Sequence, residues 1–271
     1  LAASLVLAGC GKMGGALLDG WLSRGMSADD VAVVEPGVES REAAARRLGH
    51  GVHAGPEELP ADVKPGVVVF AVKPQVMDQV APAYRRFVAP DAVFLSIAAG
   101  KTIAYFTERL GGEAAIVRAM PNTPAAVGRG ITVACPNARA GAAHVRRCQE
   151  LLEAVGEVLW TDDESQLDAV TAVSGSGPAY VFLLAECLAE AGAAAGLPVE
   201  MARRLARATV AGAGELLHRA PEEPEVLRRN VTSPGGTTAA ALSILMAPDG
   251  LRPLLAKAVQ AAARRSRELA G

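Results

Sequence analysis

Short unbroken apolar runs recur through the first 160 or so residues, at positions 4–8, 31–34, 67–71, 92–97 and 114–118. Runs of this length with no polar alternation predict strands buried on both faces. Between them lie stretches whose apolar positions recur at helical spacing, 16–24, 39–48, 75–87 (interrupted early by Pro82) and 103–110. Strand–helix alternation at this interval predicts right-handed βαβ units in an open parallel sheet. Positions 130–135 and 157–160 add two shorter strands, with a helix over 141–155 between them. From Gln166 onward no strand is predicted, only helices over 180–195, 199–218, 224–229, 238–246 and 251–269. The fold class expected is α/β, with a parallel-sheet domain over residues 1–161 followed by an all-α domain over 162–271.

The helical half is rich in small residues, as in 189–196 and 206–214, which permits close helix–helix approach. Helices this apolar in a domain of about 110 residues need more covering than one chain supplies, so a homodimer or larger homo-oligomer through this half is expected. Hydrophobic residues make up 51% of the chain, and the formal net charge of -2 exerts no long-range pull on nucleic acid or an anionic membrane. Cys10, Cys135, Cys148 and Cys187 form no C-x-x-C pair, and the histidines show no ligand spacing. Neither a metal centre nor a disulfide framework is expected, and the usage fits a reducing cytoplasm. No charged-then-apolar leader opens the chain and no membrane span is expected, because the long apolar stretches are broken by charges.

The chemistry begins after the first predicted strand, at Gly9-Cys10-Gly11-Lys12-Met13-Gly14. A bare G-x-G-x-x-G is weak, but this one follows a strand, opens a helix and has an acid, Glu35, about 20 residues on. That context predicts a Rossmann-type dinucleotide site. Gly9, Gly11 and Gly14 serve the tight turn, the approach of the pyrophosphate and helix–strand packing. Glu35 can hold the adenosine ribose hydroxyls and would repel a 2′-phosphate, which favours NADH. Arg41, Arg46 and Arg47 are close enough in sequence to soften that repulsion, although a solvated helix face accounts for them more simply.

Three further segments follow predicted strands at their C-terminal ends, where open parallel sheets bind ligands. Ala71-Val72-Lys73-Pro74 comes first, with Lys73 either touching the cofactor or sitting in a loop. Ala98 and Ala99, in Ser96-Ile97-Ala98-Ala99-Gly100, leave room for a nicotinamide ring. Asn122 stands in a rigid turn, Met120 to Pro124, and serves either the turn or a ligand. In the helical half, Ser174-Gly175-Ser176-Gly177-Pro178 reads as a cap or as a pocket wall. Ser233-Pro234-Gly235-Gly236-Thr237-Thr238 breaks the helical pattern just before an Ala-rich run. The stretch reads either as a helix cap after a tight turn or, since a helix start beside three hydroxyls suits an anion, as a site for a carboxylate or a phosphate.

Taken together and in order, Gly-Cys-Gly-Lys-Met-Gly, Ala-Val-Lys-Pro, Ser-Ile-Ala-Ala-Gly, Arg-Ala-Met-Pro-Asn-Thr-Pro, Ser-Gly-Ser-Gly-Pro-Ala-Tyr and Ser-Pro-Gly-Gly-Thr-Thr resemble pyrroline-5-carboxylate reductase. The resemblance runs from residue 9 to residue 238. It implies transfer of a hydride from NAD(P)H to the ring C=N of 1-pyrroline-5-carboxylate, giving L-proline. It also implies that Ser233 and the backbone of Gly236, Thr237 and Thr238 hold the substrate carboxylate, while Thr238 hydrogen-bonds the ring nitrogen and assists its protonation. Lys12, Met13, Ala71, Val72, Lys73, Pro74, Ala98, Ala99 and Asn122 join Gly9, Gly11, Gly14 and Glu35 on the cofactor side. Such enzymes are similar in being dimers with intertwined helical domains. The family most often prefers NADPH, whereas Glu35-Pro36-Gly37 here leans to NADH, so the cofactor is NADPH or NADH.

Two other readings fit part of the pattern. A β-hydroxyacid dehydrogenase shares the two-domain plan, but it needs a lysine on the first helix of the second domain, and none occurs between Ser165 and Ala256. A non-catalytic dinucleotide-binding regulator would tolerate damage at 233–238, where the loop is intact.

Overall fold

A computed structural model describes residues 4–270. The chain forms β1 (Leu5–Ala8), α1 (Lys12–Ser23), β2 (Val31–Val34), α2 (Val38–Leu48), β3 (Val52–His53), β4 (Val67–Phe70) and α3 (Met77–Val80). Then come β5 (Val93–Ser96), α4 (Ile103–Leu110), β6 (Ala115–Met120), β7 (Gly130–Pro136), α5 (Ala142–Glu153) and β8 (Gly156–Trp160). Helices α6 (Gln166–Val170), α7 (Gly177–Ala194), α8 (Val199–Arg219), α9 (Pro224–Asn230), α10 (Thr237–Leu245) and α11 (Leu251–Ala270) complete it.

The eight strands form one sheet in the order β3-β2-β1-β4-β5-β6-β7-β8. The pairings from β3 to β6 are parallel. Alternate residues of each strand point to opposite faces, so each face has its own core. Leu5, Leu7, Val31, Val33, Val67 and Val69 meet Leu17, Leu18 and Trp21 of α1 and Leu151 and Leu152 of α5. The Trp21 indole N–H is satisfied by the Leu151 carbonyl at 2.8 Å. On the other face Val6, Val68, Phe70, Phe94 and Ile116 pack with Met77, Tyr84, Phe106 and Leu110. Phe70 is centred there, edge-on to Tyr84 at 5.3 Å and stacked on Phe106 at 5.4 Å.

Four local features differ from expectation. β7 runs antiparallel to β6 and parallel to β8, so the sheet is not parallel throughout. The stretch from Met120 to Gly130 is too short for a helical crossover and returns the chain directly. The two-residue β3 is too short to register as an apolar run. The segment expected as a helix over 75–87 is one turn of α-helix with 3₁₀ turns on both sides, because Pro74 and Pro82 remove backbone donors. Finally, a π turn, Thr171–Gly175, joins α6 to α7.

The chain divides into two compact units, one made of residues up to Gly175 together with those from Ala263, the other Ser176–Ala262. Strands end earlier, at Trp160. Within the second unit α7 and α8 pack where Gly192 lets Ala202 approach; a Cβ on Gly192 would lie 3.3 Å from the Ala202 methyl. α7 buries none of its residues, and Phe182, Leu183 and Leu184 are 63%, 57% and 53% exposed. By length and composition alone the helical run Gln166–Ala194 meets the requirement of a membrane span, as apolar helices of soluble proteins also do.

Candidate active site

Register aligns the ends of the central strands: Ala8 pairs with Val34 and Phe70, and Phe70 pairs with Ser96. The segments that follow, beginning at Gly9, Glu35, Ala71 and Ile97, therefore leave one edge of the sheet. Gly9 turns there with φ +93°, and its N–H donates to the Val34 carbonyl at 2.8 Å. A Cβ on Gly9 would stand 2.8 Å from Val72 Cγ1 and 2.9 Å from the Ala71 carbonyl, so only glycine fits against the β4 exit. Gly14 is tighter, its notional Cβ 2.2 Å from Gly9 O. Gly11 faces open space and caps α1 without any side-chain hydrogen bond. The first N–H groups of α1, from Lys12 and Met13 onward, thus present a bare helix start with room for an anion beside Gly11. Lys12 is exposed at that start, while the Met13 side chain packs on the core face.

Glu35 is fixed by backbone donors. Its Oε2 accepts from Cys10 N at 2.7 Å and its Oε1 from Gly37 N at 2.8 Å. The carboxylate is thereby tied to the glycine loop. Arg41 Nη1 donates to the carbonyls of Glu35 and Pro36 at 3.3 and 3.0 Å, so this guanidinium braces the loop beside the acid. Arg47 pairs with Asp19 at 2.7 Å, and Arg46 with Glu42 at 4.0 Å. Ser40, Arg47, Asp19 and Lys12 line a cavity of about 400 Å³ against the outer side of the glycine loop. Burial pushes the Cys10 thiol up to about 11, so it stays protonated at neutral pH.

After β4, Ala71 N donates to Ala8 O at 2.8 Å, Lys73 is exposed, and Pro74 opens the 3₁₀ turn. After β5, Ala98 is buried and Ala99 half-buried, and Gly100 turns with φ +73°. The two exits are tied on the solvent side by Asp78 of α3, which accepts from Tyr105 OH at 2.9 Å and from Arg109 Nη2 at 2.6 Å. The Tyr105 hydroxyl and the Arg109 guanidinium hold the Asp78 carboxyl below the usual range. Lys101 and Arg109 both lie over the Tyr105 ring, at 4.3 and 3.8 Å. After β6, Asn122 Oδ1 accepts from Ile131 N at 3.0 Å and Nδ2 donates to Ser174 Oγ at 3.2 Å. Asn122 thus bridges the two strand ends and the π turn. A Cβ on Gly175 would meet Met120 Cε at 2.5 Å.

In the helical unit, α9 ends at Asn230 and α10 begins at Thr237. Gly235 takes φ +68°, and Gly236 N donates to Ser233 O at 3.1 Å. Gly236 is the N-cap of α10 and provides no side-chain cap. The Thr237, Thr238 and Ala239 amides at this start have no intrahelical acceptor. Ser233 and Thr237 are exposed and Thr238 is half-buried, and all three belong to the turn and first residues of this bare helix start. Ser174, in the segment read as a cap or a pocket wall, is the partner of Asn122, and Glu164, the partner of Arg118, lies outside every expected motif. The Ser-Gly-Ser-Gly-Pro motif pointed at the first, but nothing local pointed at Glu164, whose partner Arg118 is far off in sequence.

A glycine loop after β1, an acid after β2 and a helical domain with a bare helix start define a dinucleotide-dependent oxidoreductase of two-domain type. Residues 4–100 match the family described as NADP oxidoreductase, coenzyme F420-dependent, and residues 164–269 match the one described as pyrroline-5-carboxylate reductase dimerisation. The chain is 42% identical over 262 residues to the pyrroline-5-carboxylate reductase of Pseudomonas aeruginosa, covering 97% of this chain and 95% of that one. It is 38% identical over 261 residues to the enzyme of Pisum sativum, covering 96% and 94%. The solved pyrroline-5-carboxylate reductase from Coxiella burnetii superposes with a TM-score of 0.91 at 32% identity over 100% of both chains. The Plasmodium falciparum pyrroline carboxylate reductase with NADP bound gives 0.82 at 28% identity, over 99% of this chain and 98% of that one. The chain belongs to the pyrroline-5-carboxylate reductase family.

Proposed function

We propose that this enzyme reduces the ring C=N of 1-pyrroline-5-carboxylate to L-proline with the substrate carboxylate on the uncapped start of α10 and NADH as preferred cofactor. The reaction follows from family membership. The observation that carries the site assignment is the α10 start, where Gly236 leaves three amides uncapped beside Ser233, Thr237 and Thr238. A carboxylate there gains charge-assisted hydrogen bonds and the positive helix end together. The dinucleotide, when bound, supplies the hydride. The chain supplies position and a proton donor: the Thr238 hydroxyl, held on the first turn, faces the ring nitrogen as it gains a proton. Such a reaction asks for little more than this. The test is NAD(P)H oxidation dependent on the cyclic imine with proline as product, run beside a 3-hydroxyacid assay. Oxidation with the hydroxyacid alone would overturn the substrate.

The NADH preference rests on Glu35. Its carboxylate is oriented by two backbone N–H groups at the place a ribose reaches in this fold, and it repels a 2′-phosphate. Glu35→Ser is expected to move the ratio of kcat/KM values toward NADPH by about tenfold or more, the worth of roughly one charged contact. An unmoved ratio would take Glu35 out of cofactor choice. The dimerisation match and the exposed Phe182, Leu183 and Leu184 support a homodimer through the helical unit. The second copy also accounts for the apolar surface of α7 without a membrane. We place the protein in the cytoplasm, in keeping with its four free cysteines.

A further inference from the structure

The loop leaving β5 is held on its buried side by a single carboxylate. Glu164 Oε1 accepts from Ile103 N at 2.8 Å and from Arg118 Nη1 at 2.8 Å. Ile103 is the first residue of α4, so its N–H has no acceptor within the helix. Arg118 is paired with Ser96 across β5 and β6, and its side chain is 7% exposed. One oxygen therefore satisfies a helix start and neutralises a buried guanidinium. It does so at the far end of the loop that begins at Ile97. Within that loop Gly100 is pressed against α11, a Cβ there falling 3.0 Å from Leu269 O. Thr102 Oγ1 caps α4 from inside, accepting from Tyr105 N at 3.1 Å. The segment carrying Ala98 and Ala99 is thus fixed at both ends and at its glycine.

We propose that Glu164 is a positioning residue for the dinucleotide: through Ile103 N and Arg118 it holds the 97–102 loop in the shape that receives the nicotinamide ring, while itself touching no reactant. This rests on the reading that Ala98 and Ala99 flank that ring. A carboxylate that merely stabilised the fold would alter melting temperature without altering cofactor affinity at a temperature where the variant is folded.

The experiment is NADH binding by fluorescence on the intact chain, together with kcat and KM at saturating imine. Glu164→Ala loses both bonds and is expected to raise Kd and the NADH KM about tenfold or more, since hydrogen bonds to charged groups are worth that much. At saturating NADH, kcat stays within about threefold, as expected when the loss falls on binding shared by ground and transition states. Glu164→Gln keeps an oxygen for Ile103 N and is expected to recover most of the affinity. Should the alanine variant not fold, Glu164→Asp carries the test: its shorter side chain reaches one partner at a time, and Kd rises severalfold. Wild-type Kd in a folded Glu164→Ala, or in Glu164→Asp, overturns the proposal. Ala99→Leu, which fills the ring's place directly, separates the two failures. If it weakens NADH while the Glu164 variants do not, the loop reading stands and the role of Glu164 falls. If neither weakens NADH, the loop reading itself is wrong.

Discussion

Replacing Thr238 by alanine is expected to lower kcat about 10- to 1000-fold, the range for removing one preorganised donor from a site where charge changes in the transition state. Thr238 is the second residue of α10, half-buried, and its backbone is fixed by the Gly236 turn before it. Its hydroxyl therefore meets a ligand without first losing rotational freedom of the chain. The carboxylate contacts proposed for Ser233 and the Gly236, Thr237 and Thr238 amides do not involve the Thr238 hydroxyl, so KM for the imine should change little beside kcat. Thr238→Ser restores the hydroxyl without the methyl and should recover most of the turnover. Steady-state kinetics at saturating cofactor decide the matter, and turnover at the wild-type level in Thr238→Ala would remove this side chain from the mechanism.

The second large effect is expected at Gly14. An added methyl would lie 2.2 Å from Gly9 O and 3.2 Å from the Ala71 methyl, both in the rigid exits of β1 and β4. Neither neighbour can turn aside, so α1 must shift outward and carry its uncapped N–H groups away from the position proposed for the pyrophosphate. Gly14→Ala should cost about 1–3 kcal/mol of stability, as overpacking does. It should also weaken NADH binding by about two orders of magnitude, comparable to loss of two charge-assisted hydrogen bonds. Gly11→Ala gives the contrast: nothing lies within 4 Å of its notional Cβ, so stability should hold while affinity falls if the pyrophosphate takes the proposed place beside Gly11. Thermal melts beside NADH titrations separate the two. Equal melting temperatures for Gly14→Ala and wild type would refute the packing argument.

The strand ends were legible because buried parallel strands need unbroken apolar runs, and Val67–Phe70 or Val31–Val34 can hardly be read otherwise. The glycine loop was legible because backbone clearance admits one residue type. The features without a sequence signature depend on pairing rather than local pattern. The direction of β7 is set by the short return from Met120, not by the alternation within Gly130–Pro136. The π turn Thr171–Gly175 has no signature in apolar spacing. Glu35 was read correctly as the acid at the end of β2, but its hydrogen bonds to Cys10 and Gly37 amides are visible only in three dimensions. Arg41 looked like part of a solvated helix face and instead clasps the carbonyls beside that acid. Arg118 and Glu164 meet across a long sequence separation, which no reading of a single chain segment registers.

The reversal at β7 has a bearing on the order in which the molecule assembles. Met120 pairs with Val133 across a short excursion, whereas Leu5 must find Val67 before the dinucleotide half can close. Closing the longer loop costs about 0.6 kcal/mol more for each doubling of its length. The hairpin-like corner containing Asn122 and Ile131 is thus entropically cheap to form ahead of the crossover strands. An early corner of this kind would stand ready as a template on which β5, and with it the loop that ends at Ile103, completes the remainder of the sheet.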